Sequence, residues 1–295
     1  MLEFEMLGIN GSMQDEKSGN TSLIVGDGEV HILVDASCHI ERAVAVAVDA
    51  VVLTHEHIDH LYGLLSLLHQ LWLGGRAKEL DIICTPIVQE KVEGMLSLFQ
   101  FRQKPHLFPI HLVQAARHQQ GALSFSAFKT DHTEGSIGLV FSCGGKKLVY
   151  TCDTRPILHP VTLMENPDVL VHEASGPSQD EETLLKKGHS SGLDAAKLAN
   201  QIHAKRLYLC HLPPGSEQQA MVLADARSLR PEAEIPPLCK PIALSSTVLE
   251  PLRGEMDEGG KSMGGISSAC NQFSQRGAQF VEAERARLSD EPVAD

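Results

Sequence analysis

The chain has 295 residues and a formal net charge of −13, from 25 Lys and Arg against 38 Asp and Glu. So acidic a surface repels phosphate backbones and argues against broad nucleic-acid binding, while leaving room for a small anion drawn in by bound cations. With 42% apolar and 21% charged residues, the composition is that of a soluble globular protein long enough for a sizeable core.

The opening "MLEFEMLGIN" carries two glutamates and no basic segment, so it does not read as a signal peptide. "TSLIVGDGEVHILVDA" is two apolar runs joined by Gly-Asp-Gly, a hairpin signal, and "AVDAVVLT" is a further strand. "LYGLLSLLHQLW" has leucines at helical spacing and predicts one helix directly after residue 60. The apolar stretch that contains it is interrupted and too short to span a bilayer. "LDIICTP" reads as a strand ended by proline, "VQEKVEGMLSLFQF" as a helix and "GALSFSAFKTDH" as a half-buried strand. "SIGLVFSCGGKKLVYTCDT" is a second hairpin, turned at Gly144-Gly145. "DVLVHEAS" is a buried strand, "LDAAKLANQIHAK" a helix, "RLYLCHL" a strand, "AMVLADARSLRP" a helix and "AEIPPLCKPIAL" extended. Hairpins mixed with β-α crossovers predict an α/β fold with mixed sheets, two of them, and helices packed outside.

The seven cysteines form no CxxC pair, and Cys38, Cys84, Cys143, Cys152 and Cys210 lie in or beside apolar runs. They read as reduced thiols, and with the N-terminus they point to a cytoplasmic protein. From about residue 249 the chain turns Gly- and Ser-rich, as in "RGEMDEGGKSMGGISSACNQ". The expected organisation is a catalytic domain over 1–248 and a flexible tail over 249–295, in which "QRGAQFVEAERARLSDE" could form a short helix.

The chemistry concentrates at "THEHIDH", Thr54 to His60, placed after the apolar run "DAVVL". Clustered His and Asp are costly to bury unless something satisfies them, and a metal ion does. His55 and His57 stand two apart at the end of an extended segment, so both imidazoles point to one side and reach one ion. Asp59 and His60 follow where the chain turns into a helix, and can serve a second ion close by. His132, Asp153 and His211 each follow a strand-like run and can converge on the same edge, with Asp153 bridging two ions through both oxygens. Histidine and carboxylate ligands suit zinc, with manganese or iron as other occupants. His31, His39, His106, His111, His118, His159 and His203 read as ordinary residues in polar or loop-like settings, and His69 as a packing or surface residue.

The ordered set "THEHIDH", His132, Asp153 and His211 resembles the metallo-β-lactamase superfamily over roughly residues 1 to 245. The resemblance implies a four-layer αβ/βα sandwich with a dinuclear metal site at one edge. It implies that His55, His57 and His132 hold one ion, that Asp59, His60 and His211 hold the other, and that Asp153 bridges. "VHEAS" and "GHSSGLDAAKLA", with "LGINGSMQDEKSGNTSLIV", resemble the branch of ribonuclease Z and its phosphodiesterase relatives.

In that setting two ions lower the pKa of a shared water and offset charge on a phosphodiester. His189 can protonate the leaving oxygen with Glu173 holding its imidazole, Asp59 can accept a hydrogen bond from the attacking water, and Ser190 reads as a helix N-cap rather than a nucleophile. The basic tRNA-binding arm of ribonuclease Z has no counterpart here, since Lys104, Lys146, Lys147, Lys186 and Lys187 are scattered; "LPPGS" follows His211. These departures favour a small phosphodiester or nucleotide over tRNA 3′-processing. A lactone, ester or thioester hydrolase would use the same seven ligands and stays as the alternative. The relatives are compatible with a homodimer.

Overall fold

The computed structural model describes residues 1–244. The expected tail over 249–295, with its short helix and Cys270, lies outside the described residues.

Two mixed sheets face each other. The first holds β1 (Glu3–Gly8), β2 (Ser22–Gly26), β3 (His31–Val34), β4 (Ala50–Val52), β5 (Leu80–Cys84), β6 (Ile110–Gln114) and, at the far edge beside β1, β13 (Ile242–Ala243). β13, β1, β2 and β3 pair antiparallel, whereas β3 to β6 run parallel. The second sheet has the order β12 (Leu207–Cys210), β11 (Val169–Glu173), β10 (Lys146–Tyr150), β9 (Ile137–Cys143), β8 (Leu123–Lys129), β7 (Arg117–Gln120). β10, β11 and β12 are parallel, and β7 to β10 are an antiparallel meander.

Alternation along the strands builds the layers. Ile32 and Val34 of β3 and Ala50 and Val52 of β4 point into the core between the sheets. Leu33 and Val51 point the other way, onto Ile40 and Ala43, Leu64, Leu67 and Leu68, and Val88 and Val92. Those residues belong to α1 (Ile40–Ala45), α3 (Leu64–Leu73) and α4 (Pro86–Leu98). Strands covered on both faces read as unbroken apolar runs, as "HILV" does. On the far side α6 (Gly192–Gln201) and α7 (Ser216–Arg227) bring Ala195, Ala196, Ala199, Val222 and Ala226 into the main core. Each fully buried Leu, Ile or Val contributes about 1.5–3 kcal/mol relative to exposure.

The structure departs from the sequence expectation in four places. The helix after the motif is two helices, α2 (Ile58–Leu61) and α3, broken at Tyr62-Gly63. A Cβ on Gly63 would stand 2.3 Å from the Ser37 carbonyl oxygen, so that close approach requires glycine and interrupts the run. β6 and β7 were not expected, because both are edge strands; β7, "RHQQ", has no apolar residue and exists through its pairing with β8. Consequently His31, His111 and His118 sit on strands rather than in loops. α1 and α5 (Glu181–Lys187) were also unexpected, each too short to show a helical period.

Candidate metal centre

Topology brings the site together. β8, β10, β11 and β12 all point the same way in the second sheet, so the chain leaves each of them at one edge. His132 follows β8, Asp153 follows β10, Glu173 ends β11 and His211 follows β12. In the first sheet the chain leaves β4 and passes through Thr54 and His55 to His57, the N-cap of α2; Asp59 and His60 lie in that helix. All seven expected ligands meet in overlapping groups of donors, each within 4.8 Å of its group mates.

One group is His55, His57 and His132. His57 Nδ1 stands 3.1 Å from His55 Nε2 and 3.0 Å from His132 Nε2. Ligands held tetrahedrally at about 2.0–2.1 Å from an ion stand about 3.3–3.4 Å apart, so these three nitrogens converge as ligands do. One proton on His57 could satisfy one of the two contacts, whereas a shared cation satisfies all three donors.

The other group is Asp59, His60 and His211. Asp59 Oδ2 is 3.7 Å from both His60 Nε2 and His211 Nε2. Asp153 stands between the groups. Its Oδ2 is 3.7 Å from His55 Nε2 and from His132 Nε2, 3.5 Å from His60 Nε2 and 3.0 Å from His211 Nε2. That oxygen stands near donors of both groups, and Oδ1 is buried without a hydrogen bond.

Hydrogen bonds behind the ligands settle which ring nitrogen is bare. His60 Nδ1–H donates to Asp35 Oδ2 at 2.7 Å. His132 Nδ1–H donates to the Gly188 carbonyl at 2.9 Å. Thr54 Oγ1–H donates to Asp35 and leaves its lone pairs for His55 Nδ1–H at 3.1 Å. His211 Nδ1–H meets Ser175 Oγ at 2.9 Å. In each ring the other nitrogen faces inward, where it can offer a lone pair once any proton on it is displaced, the arrangement metal-ligating histidines adopt. Gly188 has φ +83°, and a Cβ there would lie 2.8 Å from His132 Nδ1, so only glycine brings that carbonyl so near.

Asp35 is the residue the sequence reading missed. It is fully buried, takes φ +57°, and ties His60 to Thr54 and through Thr54 to His55. The available signal was a charged residue directly after the apolar run "HILV", the same kind of position that singled out Asp153. Glu56 lies apart from the donors and accepts from Thr133 Oγ1 at 3.1 Å, bracing the loop that carries His132.

The two groups differ electrostatically before an ion binds. Burial, then the neighbouring His60, pushes His55 well below the ordinary imidazole value, and burial lowers His132. Burial also works against charge on His60 and His211, but carboxylates overrule it. Asp153 and Asp35 hold His60 well above the usual value, and Asp153, aided by Asp59, raises His211 to about 10. Asp59 and Asp153 stay below the usual carboxylate range, because His60 and His211 outweigh their burial.

His189 lies beside both groups. Its Nδ1–H donates to Glu173 Oε1 at 3.0 Å, and its ring stands 4.8 Å from that of His132 and 5.0 Å from that of His211. Glu173 is fully buried and also accepts from the Thr154 N–H at 3.0 Å and the Ser175 hydroxyl at 2.9 Å. Ser190 is not the N-cap. Its hydroxyl donates to the Thr154 carbonyl at 2.7 Å, while Ser191 caps α6 in a capping box with Asp194. Asp194 three residues after Ser191 is what completes that box.

The donor set fits divalent cations. His60 Nε2, His211 Nε2 and Asp153 Oδ1 are buried atoms with no hydrogen-bond partner, although His211 Nε2 and Asp153 Oδ2 stand only 3.0 Å apart. Buried polar atoms left without a partner around one gap fit a common positive charge.

Residues 31–212 match the family described as a β-lactamase superfamily domain, and the chain belongs to that superfamily, in its ribonuclease Z-like branch. It is similar to a protein named ribonuclease Z from Archaeoglobus fulgidus, 21% identical over 282 residues, covering 76% of this chain and 92% of that protein. Among solved structures it resembles the metallo-β-lactamase fold protein YhfI from Bacillus subtilis, with TM-score 0.67 and 20% identity over 82% of this chain and 98% of that one. It also resembles the short form of human tRNase Z, with TM-score 0.64 and 18% identity over 83% of this chain and all of that one (100%). The chain is a metal-dependent hydrolase that uses divalent ions. Among the described residues no helix is long and apolar enough to cross a membrane.

Proposed function

We propose that the chain is a phosphodiesterase acting on a small phosphodiester or nucleotide. In this reading His55, His57 and His132 would hold one ion, Asp59, His60 and His211 would hold a second, and Asp153 would serve both. A divalent pair supplies a water of lowered pKa and positive charge for the phosphoryl oxygens. The remaining work falls to the protein. Asp59, at the mouth of the second group, accepts a hydrogen bond from the attacking water. Glu173, held by the Thr154 N–H and the Ser175 hydroxyl, fixes the tautomer and tilt of His189. As the new P–O bond forms and the old one breaks, the proton on His189 Nε2 passes to the leaving oxygen.

The observation that carries this reading is the His189–Glu173 pair beside the donor groups. Expulsion of an alkoxide from phosphorus needs a proton, which this pair can deliver; a thioester, which expels a more stable thiolate, needs it least. Relatives named ribonuclease Z favour a second reading on RNA with the same chemistry. The charge of −13 and the scattered lysines favour the smaller substrate. Zinc is the occupant best suited to the ligand types. A cytoplasmic setting and a homodimer belong to the same reading; the six unpaired cysteines among the described residues suit a reducing compartment.

The test is a leaving-group comparison. His189→Ala slows an alkoxide-leaving diester by roughly two to four powers of ten and bis(p-nitrophenyl) phosphate far less, because nitrophenolate departs unaided. Equal losses on both overturn the acid role. A panel of phosphodiesters, precursor tRNA, lactones and thioesters, run on metal-quantified protein, then separates the substrate classes.

A further inference from the structure

Ser175 is half-buried and lies two residues beyond the end of β11, where three segments of the second sheet cross. Register sets that position. Glu173 pairs with Cys210 of β12, and the Ala174 N–H continues the ladder to the Cys210 carbonyl at 2.8 Å. Ser175 therefore comes to lie beside His211, one residue past Cys210. Its backbone N–H reaches the Ser190 carbonyl at 3.0 Å, on the turn that presents His189, and also faces Glu173 Oε2 at 3.2 Å.

The hydroxyl has one proton and three partners, of which the His211 carbonyl at 3.3 Å, like a carboxylate, can only accept. Glu173 Oε2, at 2.9 Å, can only accept. His211 Nδ1, also at 2.9 Å, must then donate, which leaves His211 Nε2 as the nitrogen that faces Asp153 and Asp59 and can serve an ion. The other oxygen of Glu173 accepts from His189. A continuous chain thus runs from His211 through the Ser175 hydroxyl and the Glu173 carboxylate to His189. At its two ends stand a candidate metal ligand and the candidate proton donor. Alanine could not carry that chain, whereas threonine presents the same hydroxyl from the same Cβ.

We propose that Ser175 is a positioning residue that couples metal ligation at His211 to proton delivery from His189. The proposal rests on the phosphodiesterase reading and goes beyond it, because it joins two functions that reading treats separately. One hydroxyl orients the imidazole of His211 for the second ion and holds the Glu173 carboxylate in the rotamer that receives His189. Removing it leaves the His211 Nδ1–H without an acceptor and takes one donor from Glu173. Loss of such an outer partner typically costs about 10–100-fold in metal affinity or activity.

The experiment uses the full chain, loaded with zinc and quantified, as wild type, Ser175→Ala, Ser175→Thr, His189→Ala and the Ser175→Ala/His189→Ala double variant. The first readout is binding, by zinc titration against a chelating indicator. Ser175→Ala weakens one of the two bound equivalents about 10–100-fold and Ser175→Thr restores it. Unchanged zinc affinity in Ser175→Ala overturns the proposal. The second readout, at saturating zinc, compares bis(p-nitrophenyl) phosphate with a 2′,3′-cyclic nucleotide, which leaves as an alkoxide. Ser175→Ala loses about tenfold more on the cyclic nucleotide, Ser175→Thr recovers both, and the difference vanishes in the His189→Ala background. Equal losses on both substrates, or a difference that survives without His189, overturn the coupling. If His189→Ala alone shows no leaving-group dependence, the phosphodiesterase reading falls, and the zinc titration still decides whether Ser175 orients His211.

Discussion

The two halves of the donor set, three histidines in one and two histidines with an aspartate in the other, behave differently. Burial holds His55 and His132 below the ordinary imidazole value, so their lone pairs are ready for an ion. Asp59, His60 and His211 are surrounded by carboxylates, and His60 and His211 hold protons that an ion must displace. The difference comes from burial in the first half and from carboxylates around the second, Asp153 and Asp35 at His60 and Asp153 and Asp59 at His211. Uncharged groups, the Gly188 carbonyl and the Thr54 hydroxyl, back the first half; Asp35 and the Ser175–Glu173 pair back the second. Imidazoles can thus be tuned in opposite directions by burial and by the carboxylates around them.

The largest effect removes what the halves share. Asp153→Ala depletes both ions and abolishes turnover together, measured by elemental analysis alongside activity. Retention of two ions per chain would break the bridging assignment. Next comes Asp35→Asn, which keeps the shape and removes the charge behind His60. It weakens the second ion by about 10–100-fold with a smaller effect on the first. Stepwise removal by a chelator reads this, and equal weakening of both ions would erase the distinction between the halves.

The pH dependence sharpens the comparison further. His60 and His211 carry protons at neutral pH before an ion binds, so loading the second half releases protons and loading the first releases few. Affinity at the second half rises with pH, up to about 10 for His211. In the metal-free chain the same raised values contribute stability that is complete below about pH 6.5 and is lost as pH rises through about 10. Calorimetric titration in buffers of different ionisation enthalpy counts the protons; the same number for both ions would count against the difference. The smallest effects come from the glycines. Gly188→Ala forces a Cβ against His132, and Gly11→Ala brings one within 2.9 Å of His211 Cε1. Gly188→Ala also has the positive φ to accommodate and costs about 1–2 kcal/mol in thermal unfolding. Each is expected to loosen mainly the ion of its own half, read by the same chelator assay.

Parts of this were legible in the chain and parts were not, for identifiable reasons. The hairpins at Gly-Asp-Gly and Gly144-Gly145 and the helices α4, α6 and α7 follow from periodicity and turn chemistry, which are local. β6 and β7 escaped because edge strands owe their existence to a neighbour rather than to their own residues. α2 and α3 read as one helix because the reason for the break, the contact of Gly63 with the Ser37 carbonyl, lies more than twenty positions away. Ser190 and Ser191 are chemically alike, and only the reach of Asp194 back to Ser191 decides which of them caps α6.

The sequence by itself determined that a metal site exists and which side chains are its candidates, because His and Asp crowded at strand ends are too costly to bury without a cation. It also determined the layered α/β architecture, through apolar runs and their turns. The tertiary structure alone decided that Asp153 stands between the two groups and that Asp35, Thr54 and Ser175 set the ring tautomers. It likewise decided that the two halves carry different charge. Those properties depend on distances between residues as far apart as Ser175 and His211 or Asp35 and His60, and such distances arise only when strand register brings the segments to one edge.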